Sequence, residues 1–156
     1  MSRYFLDTSA LAKHYHKERG TNHVEALLAA PRNELFLSHL SIVELQSVAA
    51  RRVRIHEITS DDFAALRSRF FADLTDRTFR VIRLTSSHFE QAEKLLVEFG
   101  LTQNLRTLDA LQLAVALDLK NNADLDYFVC ADDPLSQAAS SMGLPVINPE
   151  HVEHAE

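Results

Sequence analysis

The chain has 156 residues, of which 46% are hydrophobic and 24% are charged, and it carries a formal net charge of −6 at pH 7. This balance predicts one compact domain and excludes a disordered or fibrous chain. The single cysteine, Cys130, excludes an intramolecular disulfide framework and a zinc site of several cysteines, and it favours a reducing, cytosolic compartment. The longest uncharged apolar run in the predicted helices, 110–117, falls far short of the roughly 18 residues that a membrane helix needs. Since a strand-like segment follows Met1 directly, we expect neither a signal peptide nor a membrane anchor.

Charge is distributed unevenly along the chain. Between Arg51 and Arg83, eight basic residues stand against five acidic ones, a net charge of +3, whereas the chain after Lys120 contains seven acidic residues and no Lys or Arg. This asymmetry predicts an acidic cluster at one end of the fold and an arginine-rich middle. The arginines form either a solvated helix face or a contact for nucleic acid, and Arg51, Arg52 and Arg54 are the candidates for such a contact.

Short runs rich in β-branched and aromatic residues alternate with amphipathic runs, which predicts an α/β fold around a largely parallel sheet. Gly20 and Gly100 are predicted to end helices. In chain order, the predicted elements are a strand 3–6, helices 10–18 and 22–30, a strand 35–38, helices 41–52 and 62–74, a strand 79–84, a helix capped by Ser86 and Ser87 that ends at 99, a helix capped by Thr107 that ends at 121, a strand 127–130, a helix 134–142 and a strand 145–147. The predicted domain covers residues 1–148 and is followed by a short acidic C-terminal tail, 149–156.

Four carboxylates stand where predicted strands end or predicted helices begin. Asp7 and Asp132 each follow a strand directly, and the carboxyl ends of parallel strands are where ligands gather in open sheets. Glu44 is expected on the first turn of the helix that begins at Ser41, and Asp109 on the first turn of the helix that Thr107 caps. The sequence therefore predicts that four acidic side chains converge at one edge of the sheet.

Each of these carboxylates also has a purely structural interpretation. Ser41 and Glu44 have the spacing of a capping box, Asp109 is near a positive helix terminus, and Asp7 and either Asp132 or the neighbouring Asp133 are suitable N-caps. Four such sites among apolar neighbours are less easily explained by capping alone. Because buried like charges repel, a cation between them would stabilise the cluster. Hard oxygen ligands without cysteine or paired histidine favour magnesium or manganese, which suit phosphate chemistry.

Four segments of the chain, each containing one of these acids, resemble the acidic motifs of PIN-domain nucleases in order and spacing: 4–11, 38–45, 106–114 and 128–132. The length of the chain is similar to that of the VapC-type ribonuclease toxins of prokaryotic toxin–antitoxin pairs. The resemblance implies a three-layer α/β/α sandwich, one or two Mg²⁺ or Mn²⁺ ions and cleavage of RNA. It also implies a VapB-type antitoxin as partner and contact with DNA only through the antitoxin complex. The apolar residues of the predicted helices 41–52 and 62–74 offer a surface for a homodimer, and we expect no association with a membrane.

The resemblance also implies roles for individual residues. Asp7, Glu44, Asp109 and Asp132 match the catalytic, metal-binding acids, with Asp133 as a substitute or helper for the fourth. The small polar residues Thr8, Ser9 and Thr107 match positions that would support the metal ligands through hydrogen bonds. In the implied mechanism, Asp7 and Asp109 hold a metal ion that activates a water molecule, while Glu44 and Asp132 hold a second ion or orient waters.

Other functions stay open at this point. A phosphotransferase with Asp7 as nucleophile usually has a second aspartate two residues later, where this chain has Ser9. The histidine pairs at 14 and 16 and at 151 and 154 lack a companion ligand at a recognised zinc spacing. A PIN-domain nuclease that is not a toxin, and a binding module that acts mainly in a repressor complex, remain as alternatives.

Overall fold

The computed structural model of the protein describes residues 1–151, which form a five-stranded parallel sheet and seven helices. The strands are β1 (Arg3–Leu6), β2 (Glu34–Ser38), β3 (Arg80–Ile82), β4 (Tyr127–Val129) and β5 (Val146–Ile147). The helices are α1 (Thr8–Tyr15), α2 (Thr21–Ala29), α3 (His39–Arg54), α4 (Ser60–Thr75), α5 (Ser86–Phe99), α6 (Thr107–Asn121) and α7 (Asp133–Ser141). The strand order is β3-β2-β1-β4-β5, and every pair is parallel. The predicted α/β fold is therefore confirmed.

Two hydrophobic cores lie on opposite faces of the sheet, because successive side chains of a strand alternate between the faces. Phe5 of β1 packs in one core with residues of α5, α6 and α7, and its ring stacks on that of Phe128 at 5.7 Å between centroids. The next residue, Leu6, packs in the other core with residues of α1, α2, α3 and α4. Helices on both faces of a central sheet are the predicted three-layer α/β/α sandwich, which is confirmed.

The register of the strands aligns the residues that follow them. Phe5 pairs with Phe36 of β2 and with Phe128 of β4, so the three central strands run side by side in the same direction. The backbone N–H of Asp7 donates to the carbonyl of Val129 at 3.0 Å, which continues the pairing just beyond β1. The segments after β1, β2 and β4 consequently meet at one edge of the sheet.

The boundaries of two helices near this edge differ from the sequence prediction. α1 ends at Tyr15 rather than at 18, because the Thr21 hydroxyl donates to the carbonyl of Lys13 and the chain turns there. Gly20 does not end that helix but precedes α2 as its N-cap, in the left-handed region at a φ of 87°. α3 begins at His39 with Ser38 as its N-cap, so the prediction that it begins at 41 is wrong by two residues.

The C-terminal segment is attached to the domain as far as it is described. Lys13 Nζ donates to Glu150 Oε1 at 2.6 Å, and the backbone of Gly20 lies against that of Pro149. The first residues of the predicted acidic tail therefore pack on the α1–α2 connection, whereas 152–156 lie outside the described residues. No helix within residues 1–151 is long and apolar enough to cross a membrane.

Candidate functional site

Asp7 lies at the carboxyl edge of the sheet, as the sequence predicts, and caps α1. Its Oδ2 accepts hydrogen bonds from the Ser9 backbone at 3.2 Å and from the Ser9 hydroxyl at 2.7 Å. Ser9 Oγ in turn accepts from the Ala131 backbone at 3.0 Å, which ties the end of β1 to the end of β4. Only 5% of Asp7 is exposed, and burial raises its pKa from 3.8 to about 6, with smaller contributions from the charges of Glu44 and Asp109.

Glu44 points toward α1 and α6 from the second turn of α3, not the first. Its Oε1 accepts hydrogen bonds from Thr8 Oγ1 at 3.2 Å and from Gln112 Nε2 at 2.7 Å. Because Ser41 lies inside α3 and Ser38 is the N-cap, the capping-box interpretation of Ser41 and Glu44 is wrong. Burial raises the pKa of Glu44, although the two hydrogen bonds oppose this shift.

Asp109 lies on the first turn of α6, as predicted, and is bonded to the residue that precedes this helix. Its Oδ2 accepts from the backbone N–H of Arg106 at 3.4 Å and from Arg106 Nε at 3.2 Å. Arg106, not Thr107, is the N-cap of α6. Burial raises the pKa of Asp109, and the nearby guanidinium partly offsets that shift. Asp109 therefore makes a capping contact at the start of α6. It also lies near the other acids.

Asp132 follows β4 and is the N-cap of α7. Its Oδ1 accepts from the Leu135 backbone at 3.0 Å, and its Oδ2 lies 3.9 Å from Arg106 Nη2. Asp133 is the first residue of the helix and is exposed. Of these two aspartates, it is Asp132 that Arg106 links to Asp109.

The predicted supporting residues divide into two groups. Thr8 and Ser9 donate to Glu44 and Asp7 respectively, as supporting residues would. Thr107 is exposed, and within residues 1–151 its side chain makes no hydrogen bond to any of the four acids. Support for Asp109 comes instead from Arg106, whose role the sequence interpretation missed.

A buried polar network behind the acids was also missed. The side chain of Gln112, on α6, is fully buried and lies within hydrogen-bond distance of Thr8, Ser38, Ser41 and Glu44. The available signal was a single polar residue inside the apolar run 110–117. An isolated glutamine at such a position requires buried partners.

The donor set fits a hard divalent cation. Within residues 1–151, the hydrogen bonds to Asp7 and Glu44 all end on one oxygen of each carboxylate, Oδ2 and Oε1, so Oδ1 and Oε2 accept none from these residues. The charges of Glu44 and Asp109 raise the pKa of Asp7. The charge of Asp109 likewise raises the pKa of Glu44, the charge of Asp132 raises the pKa of Asp109, and Arg106 opposes these last two shifts. In the described arrangement no three ligating side chains share one coordination sphere, so a cation would have to draw these side chains together.

The three arginines at the end of α3 are not equivalent. Arg51 and Arg54 are exposed. Arg52 Nη2 donates to Glu18 Oε2 at 2.9 Å, and only 15% of its side chain is accessible. Arg52 therefore stabilises the α1–α2 connection, while its two neighbours are available for an external ligand.

The histidines do not form a zinc-type cluster in the part of the chain that is described. His14 is bonded to Glu25 and lies 3.5 Å from Asp73, with no further ligating group that would complete a metal site. His154, of the second predicted pair, lies outside the described residues.

Several solved structures share this fold. VapC20 of Mycobacterium tuberculosis, a toxin that cleaves the sarcin–ricin loop, is 20% identical over 86% of this chain and 94% of that chain, with a TM-score of 0.65. FitAcB from Neisseria gonorrhoeae is 18% identical over 96% of this chain and 99% of that chain, with a TM-score of 0.65. VapBC2 from Rickettsia felis, solved with a DNA fragment of its promoter, is 17% identical over 94% and 98% of the two chains, with a TM-score of 0.63. No curated protein matches the chain in sequence.

Residues 4–136 match the PIN domain family. The matched range begins in β1 and ends in α7, so it includes all four acids of the site, Asp7, Glu44, Asp109 and Asp132. The resemblance carried by the four acidic motifs is thereby confirmed, and the chain belongs to the PIN domain family.

Proposed function

We propose that the protein is a metal-dependent endoribonuclease and the toxin of a VapBC-type toxin–antitoxin pair. The observation that carries this proposal is that four carboxylates, each within the first two turns of a different helix or at its N-cap, lie at one edge of the sheet, where Asp7 is buried enough to raise its pKa to about 6. A buried acid with this shift, in a cluster of acids, is typical of a functional site. The similarity to VapC20, FitAcB and VapBC2 supports the toxin assignment.

In this proposal Asp7 and Asp109 hold a magnesium or manganese ion, and Glu44 and Asp132 hold a second ion or orient waters. A divalent cation at this site would lower the pKa of a water molecule and stabilise the negative charge that develops on the phosphate. Ser9 fixes the Asp7 carboxylate through two hydrogen bonds, one from its backbone N–H and one from its hydroxyl. No side chain is required as a nucleophile, because water would attack the phosphorus while the P–O bond to one sugar breaks and the departing sugar oxygen takes up a proton.

Basic residues around the site bind the RNA backbone. Arg106 lies at the mouth of the acidic cluster with 70% of its side chain exposed, so its free donors can reach a phosphate. Arg51 and Arg54 are exposed in the last turn of α3, about 10 Å and about 15 Å from Glu44 along the helix axis at ~1.5 Å per residue. These distances suit contact with phosphates away from the cleaved bond.

The partner in this proposal is a VapB-type antitoxin. Among proteins of this fold, VapBC2 and a complex from Klebsiella pneumoniae are toxin–antitoxin assemblies, and VapBC2 was solved with promoter DNA. An acidic edge attracts a basic antitoxin segment, and DNA is reached through the antitoxin rather than by this chain. We further propose a homodimer that acts in the cytoplasm.

Cleavage of a labelled single-stranded RNA by the purified protein tests the nuclease. We expect products in the presence of Mg²⁺ or Mn²⁺, none after chelation with EDTA, and none with Asp109→Asn. The Asp133→Asn variant is the matched control, because Asp133 is an exposed acid beside Asp132. Cleavage that survives chelation and Asp109→Asn would refute the assignment.

Expression in cells tests the toxin. We expect the chain alone to arrest growth, new RNA ends to appear on sequencing, and growth to recover when the small protein encoded beside it is produced as well. Metal-dependent cleavage in vitro without growth arrest would point to a PIN-domain nuclease that is not a toxin. Growth arrest without new RNA ends, together with a stable complex on DNA, would favour a repressor module.

A further inference from the structure

Gln112 connects four elements around the proposed site. Its Nε2 lies 2.7 Å from Glu44 Oε1, 3.0 Å from Ser41 Oγ and 3.1 Å from Thr8 Oγ1. At the other end of the amide, Oε1 accepts from Ser38 Oγ at 2.8 Å. The partners belong to α1, β2 and α3, and Gln112 itself belongs to α6. All the polar atoms of its side chain are therefore engaged in the interior.

The amide has one orientation in this network. An ionised carboxylate only accepts hydrogen bonds, so the group that faces Glu44 must be the amide nitrogen. Ser38 then donates to the amide oxygen, and a rotated amide would set its oxygen against that of Glu44. Because an unsatisfied buried amide is costly, the network is held in this arrangement.

The helical spacing gives α6 two roles at the site. Asp109 and Gln112 are three residues apart, so they lie on the same face of the helix. Asp109 contributes a carboxylate directly, whereas Gln112 reaches across to the carboxylate carried by α3. Glu44 has no donor from its own helix, since its hydrogen-bond partners are Gln112 and Thr8.

We propose that Gln112 is a positioning residue that fixes Glu44 for metal binding by holding Oε1 and leaving Oε2 as the ligand atom. This inference rests on the proposed function, because it assumes that Glu44 contributes to a metal site. Gln112 touches neither the ion nor the RNA in this role. It acts only through Glu44, as hydrogen-bond partners of metal ligands do in other proteins.

A double-mutant cycle on Mn²⁺ affinity, measured by calorimetry on the full chain, tests the inference. Gln112→Met keeps the length of the side chain and removes the amide, and we expect it to weaken Mn²⁺ binding about 10- to 100-fold. In the Glu44→Gln background we expect the same change to have less than about a twofold effect, because the interaction through which it acts is already lost. Leu113→Met is the control, since Leu113 is a fully buried neighbour in the hydrophobic core, and its Mn²⁺ affinity should equal that of the wild type.

Ser38→Ala provides a second arm if Gln112→Met does not fold. This change removes the donor to the amide oxygen, so we expect a smaller loss of Mn²⁺ affinity that again disappears in the Glu44→Gln background. Equal losses with and without Glu44 would overturn the inference and leave Gln112 as a core residue.

The cycle separates this inference from the proposed function. Mn²⁺ binding with the expected coupling, but without cleavage of RNA, would support the role of Gln112 and refute the nuclease. A wild-type protein that binds no Mn²⁺ would overturn both. Cleavage of RNA with additive effects of Gln112→Met and Glu44→Gln would overturn the positioning role alone.

Discussion

Arg106 Nε lies 3.2 Å from Asp109 Oδ2, and Arg106 Nη2 lies 3.9 Å from Asp132 Oδ2. The guanidinium therefore bridges two of the four acids that are proposed to bind metal. Arg106 directly precedes α6, and Asp109 lies on the first turn of that helix. A positive charge at this position offsets part of the repulsion among the carboxylates and at the same time opposes the entry of a divalent cation.

Replacing Arg106 with glutamine should strengthen Mn²⁺ binding and weaken RNA binding. Because the arginine is mostly exposed, the gain in Mn²⁺ affinity should not exceed about fivefold, the equivalent of ~1 kcal/mol for a solvent-screened charge. Calorimetry with Mn²⁺ measures the first effect, and fluorescence anisotropy with labelled RNA measures the second. Arg106→Lys keeps the charge and should bind Mn²⁺ as the wild type does. Weaker Mn²⁺ binding by Arg106→Gln would mean that Arg106 organises Asp109 rather than competing with the ion.

Asp7→Asn should stabilise the metal-free protein above pH 6. The pKa of Asp7 is higher in the folded protein, about 6, than its ordinary value of 3.8, so its ionised form opposes folding. The stability that the protonated form contributes is present below pH 3.8 and is lost as the pH rises through about 6. At about 1.4 kcal/mol per pKa unit, the gain from removing the charge is at most ~3 kcal/mol. Asparagine also caps helices well, so α1 should remain intact.

Urea unfolding in EDTA at pH 4 and at pH 8 measures this gain. The difference in free energy of unfolding between Asp7→Asn and wild type should be large at pH 8 and small at pH 4. Asp133→Asn, at an exposed position, should show no such difference at either pH. If Asp7→Asn were less stable than wild type at pH 8, the ionised carboxylate would stabilise the folded protein, contrary to this prediction.

Mn²⁺ affinity should rise with pH across the range in which Asp7 ionises. A carboxylate binds a cation in its ionised form, so protons and metal compete for Asp7. With its pKa raised to about 6, affinity should increase between pH 5 and pH 7 and then level off. Calorimetry at several pH values, in buffers of equal ionic strength, measures the curve. Affinity that is constant from pH 5 to pH 7 would exclude Asp7 as a ligand that titrates in this range.

The sequence predicts Asp7 and Asp132 well because each comes directly after a strand, and parallel strands bring their carboxyl ends together. The sequence predicts Glu44 on the first turn of α3, one turn too early. Ser41 has a residue type that is typical of an N-cap, but the N-cap in the structure is Ser38. Propensity does not distinguish two serines three residues apart. The tertiary contacts of the helix decide which one lies outside it.

Gln112 could not be assigned from local pattern because its partners are distant in the chain. Ser38 and Thr8 lie 74 and 104 residues before it, and only the folded sheet brings them together. Arg52 is a similar case, because the nearby Arg51 and Arg54 are exposed while the Arg52 guanidinium is bonded to Glu18, 34 residues earlier. Periodicity and spacing predict which face of a helix is buried but not which polar group lies opposite.

Glu150→Ala should destabilise the protein even though residue 150 lies beyond the last strand. Lys13 is 3% exposed, and Glu150 supplies the shorter of its two ion pairs, at 2.6 Å against 3.3 Å for Glu18. Loss of a hydrogen bond to a buried charge costs about 1.5–3 kcal/mol, which urea unfolding resolves. Glu90→Ala, on the exposed face of α5, is the control and should unfold as the wild type does. An unchanged stability of Glu150→Ala would support the predicted domain limit at 148.

Reversal of Arg51 and Arg54 to glutamate should weaken binding of single-stranded RNA without changing Mn²⁺ affinity. Both side chains are exposed at the end of α3, too far along the helix from Glu44 to ligate the same ion. Contacts with phosphates release counterions, so two lost contacts should lower the slope of log affinity against log salt by about 1.4. Anisotropy with a labelled RNA at increasing salt, with Ca²⁺ in place of Mg²⁺ to prevent cleavage, measures this slope.

The matched control reverses Arg32 and Arg77, which precede β2 and β3 at the opposite edge of the sheet and should leave the slope unchanged. Equal slopes for both double variants would mean that the arginines of α3 form only a solvated surface.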